Sequence, residues 1–339
     1  MPRTFDVPAL VDGVRAGNRS AVARSITLVE SRLPAHRLLA RELLTELTSV
    51  PTHAVRVGIS GVPGAGKSTF INAMGQRLIE QGHQVAVLAV DPSSSRTGGS
   101  VLGDRTRMGE LGVSPHAFVR PSPSGQHLGG VARATREAML VVEAAGFDTV
   151  IVETVGVGQS EVAVSGMVDT FLMLSLSRSG DQLQGIKRGI LEICDVIAVN
   201  KADGENAGEA RVAARELSIA MKLVTQAVSG RRVPVLTCSA LVREGLDEVW
   251  QAVLDHRAWL DETEGLDHHR AEQQVSWMNS QTEATLMDAM RSNEALRTLR
   301  RDLEEEVRTG RTSAMEASAD FLVAFASAVP SMDWAHPTA

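Results

Sequence analysis

The segment Gly61-Val-Pro-Gly-Ala-Gly-Lys-Ser68 constrains this chain more than any other stretch. It sits between a run that reads as a strand, AVRVGIS, and one that reads as an amphipathic helix, STFINAMGQRLIEQG. Glycines at this spacing let backbone N–H groups wrap a phosphate, and the start of the helix adds the positive end of its dipole. Lys67 supplies a point charge to the β- and γ-phosphate oxygens, and the Ser68 hydroxyl completes the coordination of Mg²⁺. A glycine turn that merely feeds a helix is the plain alternative. The flanking strand and helix weigh against it, so the segment is read as a nucleoside triphosphate site.

The surrounding texture fits such a site. Short apolar, β-branched runs alternate with helical stretches from residue 54 onward: AVRVGIS, QVAVLAV, HAFVR, DTVIVE, DTFLMLS, DVIAVN and VPVLTCS, with helices to about 81 and near 130–145. Alternation of this kind predicts parallel βαβ units, and near-continuous apolar strands predict a sheet covered on both faces. Residues 6–50 read as helices, with Leu10, Val14, Val22, Ile26, Leu33, Leu38, Leu39, Leu43, Leu44 and Leu47 at helical spacing. After about 245 the pattern is helical; 264–309 has no strand candidate, Gly310 ends it, and a further apolar-faced helix follows. The expected class is α/β, a P-loop nucleoside-triphosphatase fold with a mostly parallel, doubly wound sheet. Its expected divisions are an N-terminal helical extension (1–50), the nucleotide-binding domain (51–262) and a C-terminal helical arm (263–339).

With 339 residues, 43% hydrophobic and 22% charged, the chain has the composition of an ordinary globular protein. A net charge of −7 and the lack of a basic run count against nucleic acid as a partner. Two cysteines, Cys194 and Cys238, with no Cys-x-x-Cys pair, argue against a disulfide framework or structural zinc. No apolar run approaches the roughly 18 residues of a membrane span. The opening residues carry Asp6 and Asp12 and lack a signal-peptide core, so a cytoplasmic protein off the membrane is expected.

Two further stretches select the nucleotide and the metal. DVIAVNKAD ends on Asn200-Lys201-x-Asp203, and VPVLTCSAL carries Ser239-Ala240. A carboxylate at Asp203 can accept from both guanine N1–H and its exocyclic amine, whereas adenine would leave it unpaired, at a cost of about 1–3 kcal/mol. Lys201 would lie along the base face, Asn200 would tie this loop to the phosphate loop, and the Ala240 N–H would meet guanine O6. GTP is therefore expected over ATP. ETVGVGQSE places Glu153 at a strand end, to approach Mg²⁺ or its bound water, and Gly156 to meet the γ-phosphate. A strand-ending carboxylate without a ligand is the bland alternative. VDPSSSRTGGSVLGDRTRM offers Asp91 and Asp104 as carboxylates for metal or attacking water, with Arg96, Arg105 and Arg107 as its cations; a solvated loop with a cap at Asp104 is the alternative. Gln159 stands three positions after Gly156 and cannot be assumed to orient water.

These motifs, in this order and together with SGDQLQGIKRGI, resemble the MeaB/ArgK family of GTPases from roughly residue 10 to 330. The resemblance implies a bacterial GTPase chaperone of adenosylcobalamin-dependent methylmalonyl-CoA mutase, coupling GTP hydrolysis to correct cofactor loading and protecting the mutase from inactivation. It also implies a homodimer joined through the C-terminal arm. It assigns GTP or GDP to Gly61, Gly64, Ala65, Gly66, Lys67, Ser68, Thr69, Gly156, Asn200, Lys201, Asp203, Ser239, Ala240 and Leu241. Mg²⁺ falls to Ser68, Asp91, Asp104 and Glu153, with Lys67, Asp91 and Asp104 as the catalytic set. It reads 177–189 as a mobile loop sensing the mutase, with Gln184 and Lys187 as candidates. No Asp-x-His-x-x-Gly signature is present, so cobalamin should belong to the partner. The rivals are a transport-linked P-loop ATPase or kinase, against which Asp203 argues, and a GTP-driven nickel or cobalt metallochaperone. The latter usually carries a His-rich run or Cys-x-x-Cys; here the richest cluster is His268-His269, outside the core.

Overall fold

The structure, a computed structural model, describes residues 5–31, 33–48, 53–90, 108–121, 128–154, 160–176, 188–225 and 231–331. Its sheet contains β1 (Val55–Gly61), β2 (Val85–Val90), β3 (Ala117–Pro121), β4 (Thr149–Thr154), β5 (Thr170–Leu176), β6 (Val196–Asn200) and β7 (Val235–Thr237). Every pairing is parallel and the order is β3-β2-β4-β1-β5-β6-β7. Each strand falls on one of the seven apolar runs. All six residues of β2 are buried. Val85 and Val87 belong to one core while Ala86, Leu88 and Val90 belong to the other, because alternate side chains leave opposite faces of a strand.

The helices that cover these faces are α1 (Val7–Arg15), α2 (Arg19–Glu30), α3 (Pro34–Thr48), α4 (Lys67–Glu80), α5 (Leu128–Ala144), α6 (Ser160–Ser165), α7 (Arg188–Glu192), α8 (Asn206–Thr225) and α9 (Leu246–Thr263). Helix α4 and α9 fill one core, through Phe70, Ile71, Met74, Val249 and Val253. The three N-terminal helices fill the other alongside α5. Asn18 starts α2 by accepting from the Ser20 and Ala21 N–H groups at 2.9 and 3.1 Å. Arg37 then grips Glu137 of α5 with two bonds of 3.0 and 2.8 Å, and Arg120 of β3 reaches Glu30 at 2.5 Å. Leu10, Val14, Val22, Ile26, Leu43 and Leu47 are buried as their spacing predicts, but Leu33 and Leu38 are exposed. Leu33 immediately precedes α3 and Leu38 lies in its second turn.

The chain divides into two compact units, Met1–Gln273 and Gln274–Ala339. Across 264–309 the expected single helical run is interrupted. Helix α10 (Leu266–Ser292) stops, Asn293 caps α11 (Glu294–Arg308) by accepting from the Leu296 N–H at 3.1 Å, and α12 (Ala314–Ala328) follows. Within the second unit a small core joins Ala289 and Leu296 to Phe321, Ala324, Phe325 and Ala328. Among the described residues no helix is long and apolar enough to cross a membrane.

The sheet order decides where a ligand can sit. Strand β1 lies centrally, with β4 on one side and β5 on the other, so connections leave in opposite directions at its carboxyl end. A crevice opens at such a reversal point. Glu153 of β4 stands beside Ile59 of β1 and Ala89 of β2, and Asn200 of β6 beside Leu176 of β5.

Candidate nucleotide site

The phosphate loop joins β1 directly to α4. Gly61 passes so close to β5 that a Cβ there would lie 2.4 Å from the Leu174 carbonyl oxygen. Gly64 and Gly66 hold φ of +81° and +85°, a region side chains resist. The Ala65 N–H closes the turn onto the Val62 carbonyl at 3.0 Å. Lys67, the first residue of α4, bends back and donates to the Gly61 carbonyl at 2.8 Å, while Thr69 is exposed on the first helical turn. Burial lowers the Lys67 pKa from the ordinary lysine value; the Glu153 and Glu161 carboxylates oppose that shift.

On the metal side the Ser68 hydroxyl donates to Glu153 Oε1 at 3.2 Å. A hydroxyl and a carboxylate this close offer the hard oxygen donors that Mg²⁺ takes, and Mg²⁺ needs few of them because it keeps several waters and binds substrate phosphates. The residues present therefore fit the ion. Asp91, Asp104 and Gly156 lie outside the described residues, as do Arg96, Arg105, Arg107, Gln159, Gln184 and Lys187.

On the base side one residue joins the halves. Asn200 Nδ2 donates to the Ala65 carbonyl at 2.8 Å, and Asn200 Oδ1 accepts from the Ala240 N–H at 3.0 Å. That second bond engages the same Ala240 N–H that the sequence directs at guanine O6. The amide is drawn inward because the buried Asn200 oxygen needs a donor. Lys201 has φ +61°, and the Ala202 N–H bonds the Cys238 carbonyl at 3.0 Å, so the NKAD turn is pinned just past the end of β7. Asp203 Oδ1 accepts from the Ser239 hydroxyl at 2.6 Å. Ser239 and Glu244 exchange backbone bonds of 2.9 and 3.1 Å, which folds residues 239–244 into a tight loop with Leu241 on its surface.

The structure thus brings Gly61, Gly64, Ala65, Gly66, Lys67, Ser68 and Glu153 together at one end, and Asn200, Lys201, Asp203, Ser239 and Ala240 at the other. One charged residue of this region escaped the sequence reading. Glu161 is wholly buried in the first turn of α6, accepting from Ser60 at 3.4 Å and from Ser160 at 3.2 Å. Its only signal was an acid directly before the apolar stretch VAV, which reads equally as a helix-start acid. Exposed polar residues also link the base loop to α4: Arg243 meets Glu80 at 3.2 Å and bonds Gln76, and Arg77 pairs with Asp247. Elsewhere, His269 pairs with Glu264 and Gln273, and no cluster of three metal-ligating side chains occurs among the described residues.

A sequence profile described as "Methylmalonyl Co-A mutase-associated GTPase MeaB" matches residues 22–295. A probable GTPase of Mycobacterium tuberculosis is 54% identical over 316 residues, covering 93% of this chain and 94% of its own. The mouse protein named methylmalonic aciduria type A homolog, mitochondrial, is 40% identical, covering 95% of this chain and 80% of its own. A crystal structure titled LAO/AO transport system kinase superposes with a TM-score of 0.76 at 36% identity, covering 94% of this chain and 98% of that one.

Proposed function

The chain belongs to the MeaB family of methylmalonyl-CoA mutase-associated GTPases, and on that premise we propose that it is a GTP-hydrolysing chaperone for an adenosylcobalamin-dependent methylmalonyl-CoA mutase. In this reading it assists cofactor loading and protects the mutase from inactivation, while the cobalamin stays with the mutase. GTPase activity itself comes with the family and with relatives of that name. The observation that carries the choice of nucleotide is Asp203. The Ser239 hydroxyl donates to its Oδ1 at 2.6 Å, which restrains the carboxylate that in this reading accepts from the base.

The chemistry is in-line attack of water on the γ-phosphate, a reaction in which the protein's work is positioning and charge stabilisation. Lys67 exchanges the Gly61 carbonyl for the β- and γ-phosphate oxygens. Ser68 and Glu153 would hold Mg²⁺, which neutralises charge developing on the phosphates. Asp203 accepts from guanine N1–H and the exocyclic amine, Lys201 covers the base, and Asn200 keeps both ends in register. Asp91 and Asp104 are assigned to metal and attacking water, Gly156 to the γ-phosphate, and Gln184 and Lys187 to sensing the mutase. Homodimerisation through the C-terminal unit belongs to the same reading.

Its test is the GTP hydrolysis rate of the pure protein, alone and with a purified adenosylcobalamin-dependent methylmalonyl-CoA mutase. A slow basal rate that rises with the mutase is expected. A GTP-selective rate indifferent to the mutase overturns the client assignment, and rapid ATP turnover overturns the nucleotide assignment in favour of a kinase or transport ATPase.

A further inference from the structure

Among the described residues, two that are not glycine hold left-handed backbone: Lys201 at φ +61° and Arg243 at φ +59°. Both lie in the loops that the proposed function assigns to the base. A side chain in that conformation crowds its own backbone, so glycine is the residue that fits it without strain. An arginine there is held by its surroundings, and strain of this kind gathers at functional sites.

The turn that carries Arg243 has little else to fasten its tip. Ser239 and Glu244 close its base through backbone bonds, but Leu241 and Val242 are exposed, so apolar contact does not anchor it. The Arg243 guanidinium reaches across to α4 instead. It meets Glu80 at 3.2 Å, bonds Gln76, and stands 3.7 Å from Glu110, which Gln76 also bonds. A single exposed ion pair contributes little, but here one guanidinium gathers several partners on a turn without an apolar anchor. Gln76 and Glu80 lie in the last two turns of α4, the helix that begins at the phosphate loop. The same turn bears on Asp203. The Val242 N–H, one residue before Arg243, donates to the Ser239 hydroxyl oxygen at 3.4 Å, and that hydroxyl donates to Asp203 at 2.6 Å. A chain of contacts therefore runs from α4 through Arg243 and Ser239 to Asp203.

We propose that Arg243 is a positioning residue for guanine recognition: by tying the 239–244 turn to α4 and Glu110 it holds Ser239, and through Ser239 the Asp203 carboxylate, in the orientation that accepts from the base. The inference rests on the proposed base site and deepens it. A surface charge cluster that only stabilises the fold would act alike on nucleotides whatever their base. Positioning of Asp203 acts most on a base that offers the exocyclic amine.

The experiment measures the Kd of GDP and of IDP, with Mg²⁺, for the full chain and its variants. IDP keeps N1–H but lacks the exocyclic amine, so it depends less on how the carboxylate is turned. The variants are Arg243→Ala, Arg243→Lys, the Glu80→Gln/Glu110→Gln pair, that pair combined with Arg243→Ala, and Asp203→Asn. Urea unfolding without nucleotide reports on folding. Arg243→Ala should bind GDP about fivefold more weakly and lose about threefold of the preference for GDP over IDP. Arg243→Lys, which keeps a charge able to meet one carboxylate, should recover part of that preference. In the Glu80→Gln/Glu110→Gln background Arg243→Ala should change the preference less, because two of its partners have already been altered. An unchanged preference in folded Arg243→Ala overturns the proposal, and so does an effect of full size in the Glu80→Gln/Glu110→Gln background. If Arg243→Ala does not fold, the Glu80→Gln/Glu110→Gln variant decides by whether its preference for GDP falls. Failure of the base-site reading shows separately, as Asp203→Asn keeping the parent's preference for GDP over IDP.

Discussion

Asp203 and Gly61 show two ways in which single residues define this site. Asp203 is restrained by Ser239, and in the proposed function its value lies in donors that guanine has and adenine lacks. Asp203→Asn turns one oxygen into a donor facing guanine donors. GTP should lose on the order of tenfold to a hundredfold in affinity relative to other purine nucleotides. Competition binding with GTP, ITP, XTP and ATP checks this, and undiminished preference for GTP would remove Asp203 from the base site. Gly61 works by having no side chain at all. A methyl group there would press on the Leu174 carbonyl at 2.4 Å, and backbone of a central strand cannot yield. Gly61→Ala should cost about 1–3 kcal/mol of stability, read as a lower urea midpoint, and should weaken nucleotide binding with it. A variant as stable as the parent would mean that β5 gives way at this point.

At the scale of elements, the N-terminal helices are fastened by charge as well as by apolar contact. Glu137 of α5 is almost wholly buried, and Arg37 of α3 supplies it with two hydrogen bonds, while Arg133 stands 4.0 Å away. Arg37→Ala leaves that carboxylate underpaired and should cost about 2 kcal/mol, since breaking a buried pair costs more than the pair contributes. Chemical denaturation measures it; a loss below a few tenths would show that Arg133 substitutes fully. These elements were largely legible because their signals are local. Seven β-branched runs, the loop Gly61–Ser68 and NKAD each encode one strand, turn or ligand contact within a few residues. What stayed hidden depends on distance along the chain. The Ser60 hydroxyl that meets the buried Glu161 lies 101 residues before it, and the Ala240 amide is engaged by Asn200, 40 residues before it. The break at Asn293 was readable in principle, since Ser-Asn-Glu is a helix-start pattern inside a charged helical run.

At the scale of the molecule, two units divide the work that the proposed function requires. The first holds every described nucleotide residue, and the second presents apolar side chains to solvent, among them Met315 at 84%, Leu322 at 55% and Val323 at 68% exposed. Apolar surface of this kind suits a partner. If the proposed homodimer uses this unit, Leu322→Glu combined with Val323→Glu should give a monomer by sedimentation while GTP hydrolysis by the protein alone is retained; a persisting dimer would place the interface elsewhere. Asn200 touches Ala65 on one side and Ala240 on the other, so under the proposed function it fixes the separation between the place for a base and the place for phosphates. It acts as the linker of a bidentate receptor. Once one end of a nucleotide has docked, the other faces its own subsite at high effective concentration, and affinity comes from the span as much as from either contact. Guanosine or pyrophosphate alone would gain nothing from that spacing, so on the proposed assignment a rigid asparagine would let the molecule respond to the whole nucleotide and ignore its fragments.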